Sequence, residues 1–289
     1  MTATVSLQQV ASHLDEYLRI REVPDEANAV NGLQVENASG TVRRVVAAVD
    51  ATLESIAAVV AEDKADRADR ADKTDRADKA DRADKADRTD RADGVEGGTL
   101  LVVHHGLFWD GNVPATGRRY RRLRTLFDHD IALYSAHIPL DIHPEVGNNA
   151  VLARELGVAG AEPFATYRGI PFGASGVLEL PREDLVTRLE ELLGANVTLI
   201  PGGPARTRKV GIITGGAGTS VGSAHAAGLD TFITGEGPHH TYHEAMELGV
   251  NLVYAGHYAT EQVGVKALAA AIGERFGVPW AFHHHPTGM

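Results

Sequence analysis

Two adjacent histidines, His104 and His105, close an apolar run in LVVHHGLFWD, residues 101–110. Neighbouring side chains of a strand point to opposite faces. Two imidazoles side by side can therefore serve one site only where the strand stops and the backbone turns. Strand ends are also where open α/β sheets place their ligands. Three more apolar runs end in polar clusters: His137 to Asp141 after ALYS, Gly235-Glu236 after FIT, and His257 to Glu261 after LVYAG. A helix starting near Ala259 would put His257 at its N-terminus and Glu261 about one turn away, where a carboxylate also suits the helix dipole.

The chemistry that uses such a set is a two-metal site. Two divalent ions about 3.5–4 Å apart need a carboxylate between them and terminal nitrogen or oxygen ligands on each. Adjacent histidines can give one imidazole to each ion. Glu261 is the candidate bridge, with Asp141 and His257 as terminal ligands. Nitrogen and oxygen donors without sulfur suit Zn, Mn, Fe, Co or Ni and do not choose among them. A water between two such ions would become a nucleophile near neutral pH. Rival histidines exist. His239-His240 and His243 form one group; His283-His284-His285 form another, read as surface or supporting positions. His129 and His225 read as ordinary polar positions, and Met246 and Trp280 as core. The glycine-rich stretch IITGGAGTS, 212–220, has the look of a phosphate cradle. It lacks the lysine of a Walker motif and the spacing of a dinucleotide fingerprint, so a tight turn is the preferred reading. Asn31-Gly32 also reads as a plain turn.

The elements that must position these residues follow from periodicity. Val5, Leu7, Val10, Leu14 and Leu18 recur at helical spacing, which predicts an amphipathic helix over 5–20. Strands are predicted at 42–49, 100–103, 131–135, 173–180, 197–200, 209–214, 231–234 and 252–255, with a short extended piece after Gly32 and a last strand near Trp280. Helices are predicted at 52–62, 118–127, from 150, at 182–193, 240–248 and about 259–276. Strands alternate with helices throughout, so the fold class is α/β. Residues 1–145 with 254–289 are expected to form the domain that bears the metal ligands, and 146–253 a second α/β domain.

The bulk numbers bound the function classes. The 289 residues allow one large or two modest domains. A formal net charge of −11 argues against a nucleic-acid partner. The absence of cysteine excludes disulfides, thiolate metal sites and cysteine nucleophiles. The N-terminal residues lack the pattern of a signal peptide, and no run of about 18 apolar residues predicts a membrane span. A cytoplasmic location is expected. Residues 64–93 repeat Asp-Arg/Lys-Ala with a period of three and hold no apolar side chain larger than alanine. This insertion cannot bury a face. It reads either as a solvated helix, with pairs such as Asp66 and Arg70 four apart, or as a disordered insertion, and its functional reading is the binding arm of a protein-partner adaptor.

Five motifs in order carry a resemblance: NGLQV at 31–35, VVHHGLFW at 102–109, HIPLDIHPEVGNNAVLA at 137–153, TGEGPHHTYHEA at 234–245 and GHYATE at 256–261. Together they resemble the NGG-interacting-factor-like dinuclear metal family, widely labelled GTP cyclohydrolase I type 2 homologues. The resemblance spans nearly the whole chain apart from 64–93. It implies two intertwined α/β/α three-layer domains with mixed sheets. It also implies a toroidal homohexamer with metal sites facing an internal cavity. By motif, the family's ligands to two divalent ions fall on His104, His105, Asp141, His257 and Glu261. His137 and Glu236 match polar family positions near the site and become candidate catalytic residues. The label implies ring-opening hydrolysis of GTP, a small-molecule substrate. Nothing in the residues shows a guanine pocket, and the one basic cluster nearby (Arg118, Arg119, Arg121 and Arg122) reads as a solvated helix face. The chain departs from many relatives in carrying Gly106 where they have proline, in lacking the large inserted domain of longer members, and in its charged repeat.

Overall fold

The computed structural model describes residues 4–65 and 98–288; the charged repeat from residue 66 onward lies outside them. The chain opens with β1 (Val5–Ser6), which pairs antiparallel with Thr41 and Val42. Helix α1 (Leu7–Tyr17) follows, shorter than the apolar spacing predicts. Val5 is spent on the strand, and Leu18 is the residue that ends the helix while its side chain stays in the core. Then come β2 (Gly32–Val35), β3 (Thr41–Asp50), α2 (53–65), β4 (Gly98–His105), α3 (Gly117–Asp128) and β5 (Ile131–Ser135). Strands β3, β4 and β5 are parallel and side by side, with β2 antiparallel on the outer edge of β5.

A one-turn helix α4 (Ile138–Asp141) and α5 (Asn148–Leu156) lead to a second sheet. It begins with a long antiparallel hairpin, β6 (Ala159–Tyr167) and β7 (Ile170–Pro181). After α6 (Arg182–Leu193) come β8 (Thr198–Pro201), β9 (Arg206–Ile212), α7 (Val221–Ala226), β10 (Thr231–Thr234), α8 (Thr241–Leu248) and β11 (Asn251–Tyr254). The order is β6-β7-β9-β10-β11-β8, with β9, β10 and β11 parallel. Helix α9 (His257–Phe276) and β12 (Trp280–Phe282) return the chain to the first sheet, where β12 runs parallel to β3. The result is an α/β fold with two mixed sheets. Strand β6 had no apolar alternation to announce it: it is an exposed edge strand containing Pro163, a residue tolerated at sheet edges.

Each sheet lies between helices. The apolar stripe of a helix needs a partner face, and here Leu14 of α1 and Leu268 and Ile272 of α9 pack on Val45 and Val102 of the first sheet. Ile56 and Val59 of α2 and Leu126 of α3 cover its other face at Val46, Leu101 and Leu133. In the second sheet, Leu152 of α5 and Leu185 and Leu189 of α6 pack on Val210, Ile212 and Val253. Val221 and Ala224 of α7 and Ala245 of α8 cover the opposite face around Phe232. Helix α9 belongs to both cores. Its Val265, Leu268 and Ile272 face the first sheet, while Ala259 and Val263 face the second. A helix apolar on several sides is a buried helix, and this one carries His257 and Glu261. Among the described residues no helix is long and apolar enough to cross a membrane. Met246 and Trp280, expected in the core, are instead 43% exposed on the chain's surface.

Candidate metal centre

The C-terminal ends of both sets of parallel strands meet at one place. His104 and His105 end β4; His137 follows β5; Thr214 follows β9, Glu236 follows β10 and His257 follows β11. Helix α9 starts at His257, two residues earlier than the apolar spacing suggests. The preceding Gly256 takes φ 87°, a left-handed value that frees the turn. His257 and Glu261 are then four apart on one helix face, with Nε2 3.1 Å from Oε1.

Glu261 is the hub. Its Oε1 lies 3.4 Å from His104 Nε2, and its Oε2 3.5 Å from His105 Nε2. Asp141 Oδ2 stands 3.7 Å from His104 Nε2. The donors form three overlapping triads, His104-Asp141-Glu261, His105-His257-Glu261 and His104-His105-His137, each tight enough to hold a cation, and the first two share Glu261. Donor atoms about 2.1 Å from one tetrahedral ion lie about 3.4 Å from each other, which matches these separations. His104 Nε2 and Glu261 Oε2 are buried and make no hydrogen bond. Leaving such atoms unpaired costs about 1–3 kcal/mol each, and a bound cation would satisfy both. All five residues expected to be ligands are thus brought together, and the donor set fits a metal.

Every imidazole here has its other ring nitrogen tied down. His104 Nδ1 donates to Ala136 C=O (2.9 Å), His105 Nδ1 to Asp50 (2.9 Å), and His257 Nδ1 to Glu236 (2.8 Å). A carbonyl or carboxylate acceptor puts the proton on Nδ1 and leaves the Nε2 lone pair for a metal. Asp141 is oriented likewise: its Oδ1 accepts from Asn148 Nδ2 (2.8 Å) and Thr214 Oγ1 (3.2 Å), which leaves Oδ2 facing His104. Glu236, expected as a catalytic candidate, therefore holds His257 in place. His137, the other candidate, has Nδ1 2.8 Å from Asp25 Oδ1, so its Nε2 is the free nitrogen. Its ring stands 5.0 Å from that of His104 and 4.8 Å from that of Trp109.

The charges set each other. Burial opposes a proton on His104, but Glu261 and Asp141 outweigh it and lift its pKa to about 10. His257 rises to about 9 against the same opposition, through Glu261 and then Glu236. Burial also disfavours the Glu261 carboxylate, yet His104 and His105 hold it well below its ordinary range. Asp141, fully enclosed, is pushed up, first by burial and then by Glu261.

The glycine-rich turn lies against the cluster and contributes Gly216, Ala217, Thr219 and Ser220 to the wall of a neighbouring cavity. A Cβ at Gly215, where φ is 71°, would collide with Glu261 Oε1. The turn packs against the carboxylate, and Gly215 N–H donates to Thr260 Oγ1 one residue before it (3.0 Å). Gly106 is constrained too: a Cβ there would meet Gln34, whose Oε1 accepts from Leu107 N–H. In the basic helix, Arg119 is not solvated as expected. It is buried and pinned by Asp110 and the Val113 and Gly111 carbonyls. His239, His240 and His243 stay on α8 and its approach, outside the cluster, and His283 and His285 pair with Glu62 and Glu54 of α2. No pattern in the sequence marks Asp25, which lies in a loop. Asp50 had one available signal, the close of the apolar run VVAAV of the predicted strand at 42–49, and the structure sets it directly beside His105 in the strand register.

A cavity of about 620 Å³ opens over the cluster. His105, His257, Glu261 and Asp141 form its polar end, and Trp109, Tyr167 and Phe172 line it elsewhere.

Strand ends from two mixed sheets, converging on buried histidines and carboxylates, define an α/β protein with a candidate metal centre at its middle. Comparison with known proteins places it more narrowly. The family model for Duf34/NIF3 (NGG1p interacting factor 3) matches residues 94–287, and the chain belongs to that family. It is 39% identical to a GTP cyclohydrolase 1 type 2 homolog of Deinococcus radiodurans, over 99% of this chain and 95% of that one. A protein of the same name from Archaeoglobus fulgidus is 37% identical over 99% and 100% of the two chains. Among solved structures, a Thermus thermophilus protein superposes with a TM-score of 0.76 at 38% identity, covering 99% of this chain and all of the other.

Proposed function

We propose that the chain is a dinuclear-metal hydrolase acting on a small molecule. The observation that carries this reading is the sharing of Glu261 by two donor triads, one more deeply buried and one more open to the cavity. His104 and Asp141 would hold one divalent ion, His105 and His257 the other, and Glu261 would bridge them. Ions held there would acidify a water to a nucleophile near neutral pH and polarise a substrate oxygen. The chain's own groups do the rest. Asp50, Glu236 and the Ala136 carbonyl keep the imidazoles in the binding tautomer. His137, oriented by Asp25 through Nδ1, would present Nε2 to the cavity as a proton acceptor for general acid–base catalysis. Glu236 is committed to His257 and acts through it.

The relatives' name makes GTP, with other nucleotides and their nucleosides, the first substrates to try. The test is turnover by protein loaded with Zn, Mn, Fe, Co or Ni, beside metal-free protein and Glu261→Gln. Hydrolysis confined to the loaded wild type is the expected result. No turnover of any substrate by fully loaded protein would favour a metal-holding scaffold, the reading in which the cavity stores ions without chemistry. A homohexameric ring belongs to the same proposal. Light scattering should give a mass of about six chains, and a monomer mass would remove that part.

A further inference from the structure

We infer that the β6–β7 hairpin is the specificity element of this cavity, and that it selects a flat, uncharged or singly anionic heteroaromatic ring rather than a polyphosphate. The inference takes the hydrolase reading's location for the reacting group, but its evidence lies in the walls. Tyr167 and Phe172 stand on either side of the hairpin turn, with ring centroids 5.4 Å apart and planes inclined by 37°. Both line the cavity. The hairpin belongs to the second sheet, yet its tip is clasped to the first half of the chain. Tyr167 Oη donates to Glu26 Oε1 (2.9 Å), and Arg168 donates to Glu26 Oε1 (2.6 Å) and to the Asp25 carbonyl (2.7 Å). Arg168 also lies over the Tyr167 ring, 5.3 Å from its centroid. At the other end of the wall, buried Asn149 donates to the Phe172 carbonyl and accepts from Thr214 N–H, beside Asp141. The aromatic wall is thus fixed at both ends with respect to the candidate metal centre. Trp109 adds a third ring from the loop after β4.

Rings held this way bind other rings by offset or edge contacts over a large apolar area. The charges point in the same direction. The described residues that line the cavity include the carboxylates of Asp50, Asp141 and Glu261 and no lysine or arginine. Arg168 is occupied by Glu26 and Arg119 by Asp110, while Arg122, whose charge is felt by Asp50, stands behind the wall and is not among the lining residues. Two divalent ions would be largely offset by those three carboxylates. A chain of phosphates would find no side-chain cation among the lining residues to receive it, whereas a neutral ring would lose nothing.

The chain has two tryptophans, so Trp280→Phe leaves Trp109 as the sole reporter in the cavity. The Zn-loaded variant is titrated with guanosine, adenosine, uridine, GTP and inorganic triphosphate, and Trp109 fluorescence is read. At least one nucleoside should quench it saturably, GTP should bind within tenfold of guanosine, and inorganic triphosphate should not displace the nucleoside. Phe172→Ala and Tyr167→Ala should each weaken nucleoside binding about tenfold, as expected when a base loses an aromatic platform. Zinc content, measured on each variant, should stay at the wild-type value, which keeps loss of a wall separate from loss of the metal centre. The inference is overturned if no nucleoside quenches. It is equally overturned if GTP binds more than tenfold tighter than guanosine, if triphosphate displaces the nucleoside, or if neither alanine variant weakens binding. Two metal ions per chain with any of those outcomes would leave the hydrolase reading standing and remove this one.

Discussion

The two halves of the histidine–carboxylate cluster share Glu261 and differ in almost everything else. His104 and Asp141 form the enclosed half: their side chains are 0% and 5% exposed, and both come from the first half of the chain. His105 and His257 form the open half, 20% and 30% exposed, with one imidazole from each sheet's strand ends. The difference sets what each half can do. A buried donor set with its remaining valences taken up by Asn148, Thr214 and Ala136 can hold an ion tightly and meets the cavity only at Asp141 and the shared Glu261. The open half faces the cavity and can leave a coordination position for water or substrate, the mark of a catalytic rather than structural site.

The largest expected effect comes from removing what the halves share. Glu261→Gln should take metal content from about two ions per chain to near none. The metal-free variant should also lose about 3–5 kcal/mol in urea unfolding, the usual cost of removing one partner from a buried charge pair. Asp141→Asn should empty the enclosed half and leave one ion. His257→Gln should empty the open half, also leaving one ion, and should abolish turnover. If either single variant loses both ions, the halves are one cooperative unit and do not divide the work between them. Asp50→Asn should act only through His105 and weaken the open half's ion about 10–100-fold, the range typical of groups that orient a ligand.

The smallest expected effect is a pH dependence of the metal-free chain. Its His104 and His257 titrate at about 10 and about 9, above the ordinary imidazole range. A raised folded pKa gives stability that is complete below the unfolded value of about 6.5 and is lost as pH rises through the folded value. The melting temperature of metal-free protein should therefore fall from pH 7 to pH 10. Loaded protein, whose imidazoles hold the ion in place of a proton, should not show that fall. Metal uptake at pH 7 should release protons, which calorimetry in buffers of different ionisation enthalpy would register.

Much of this was legible in the sequence because strand ends announce themselves. Apolar runs that stop at His104-His105 and before His137 and His257 fix where side chains can converge, and parallel strands send those ends to one edge. What stayed hidden lies where sequence carries no periodic signal. Asp25, which orients His137, sits in an irregular loop 112 residues away from it. Tyr167 and Phe172 flank a turn just ahead of the predicted strand at 173–180, and β6, which brings Tyr167 there, is polar and exposed and has no strand pattern. The start of α9 moved to His257 because Gly256 could turn the chain two residues earlier than the apolar spacing shows. The surface positions of Met246 and Trp280 follow from which face of α8 and which end of β12 the core leaves uncovered, and no local pattern encodes that.

The most direct test of the central claim is metal content per chain, by elemental mass spectrometry, on tag-free protein purified without chelator or added metal. The account predicts about two divalent transition ions per chain in the wild type and about one in His257→Gln. Near-zero metal that Zn, Mn or Fe cannot restore would contradict it, because the buried, unpaired His104 Nε2 and Glu261 Oε2 would then have some other partner.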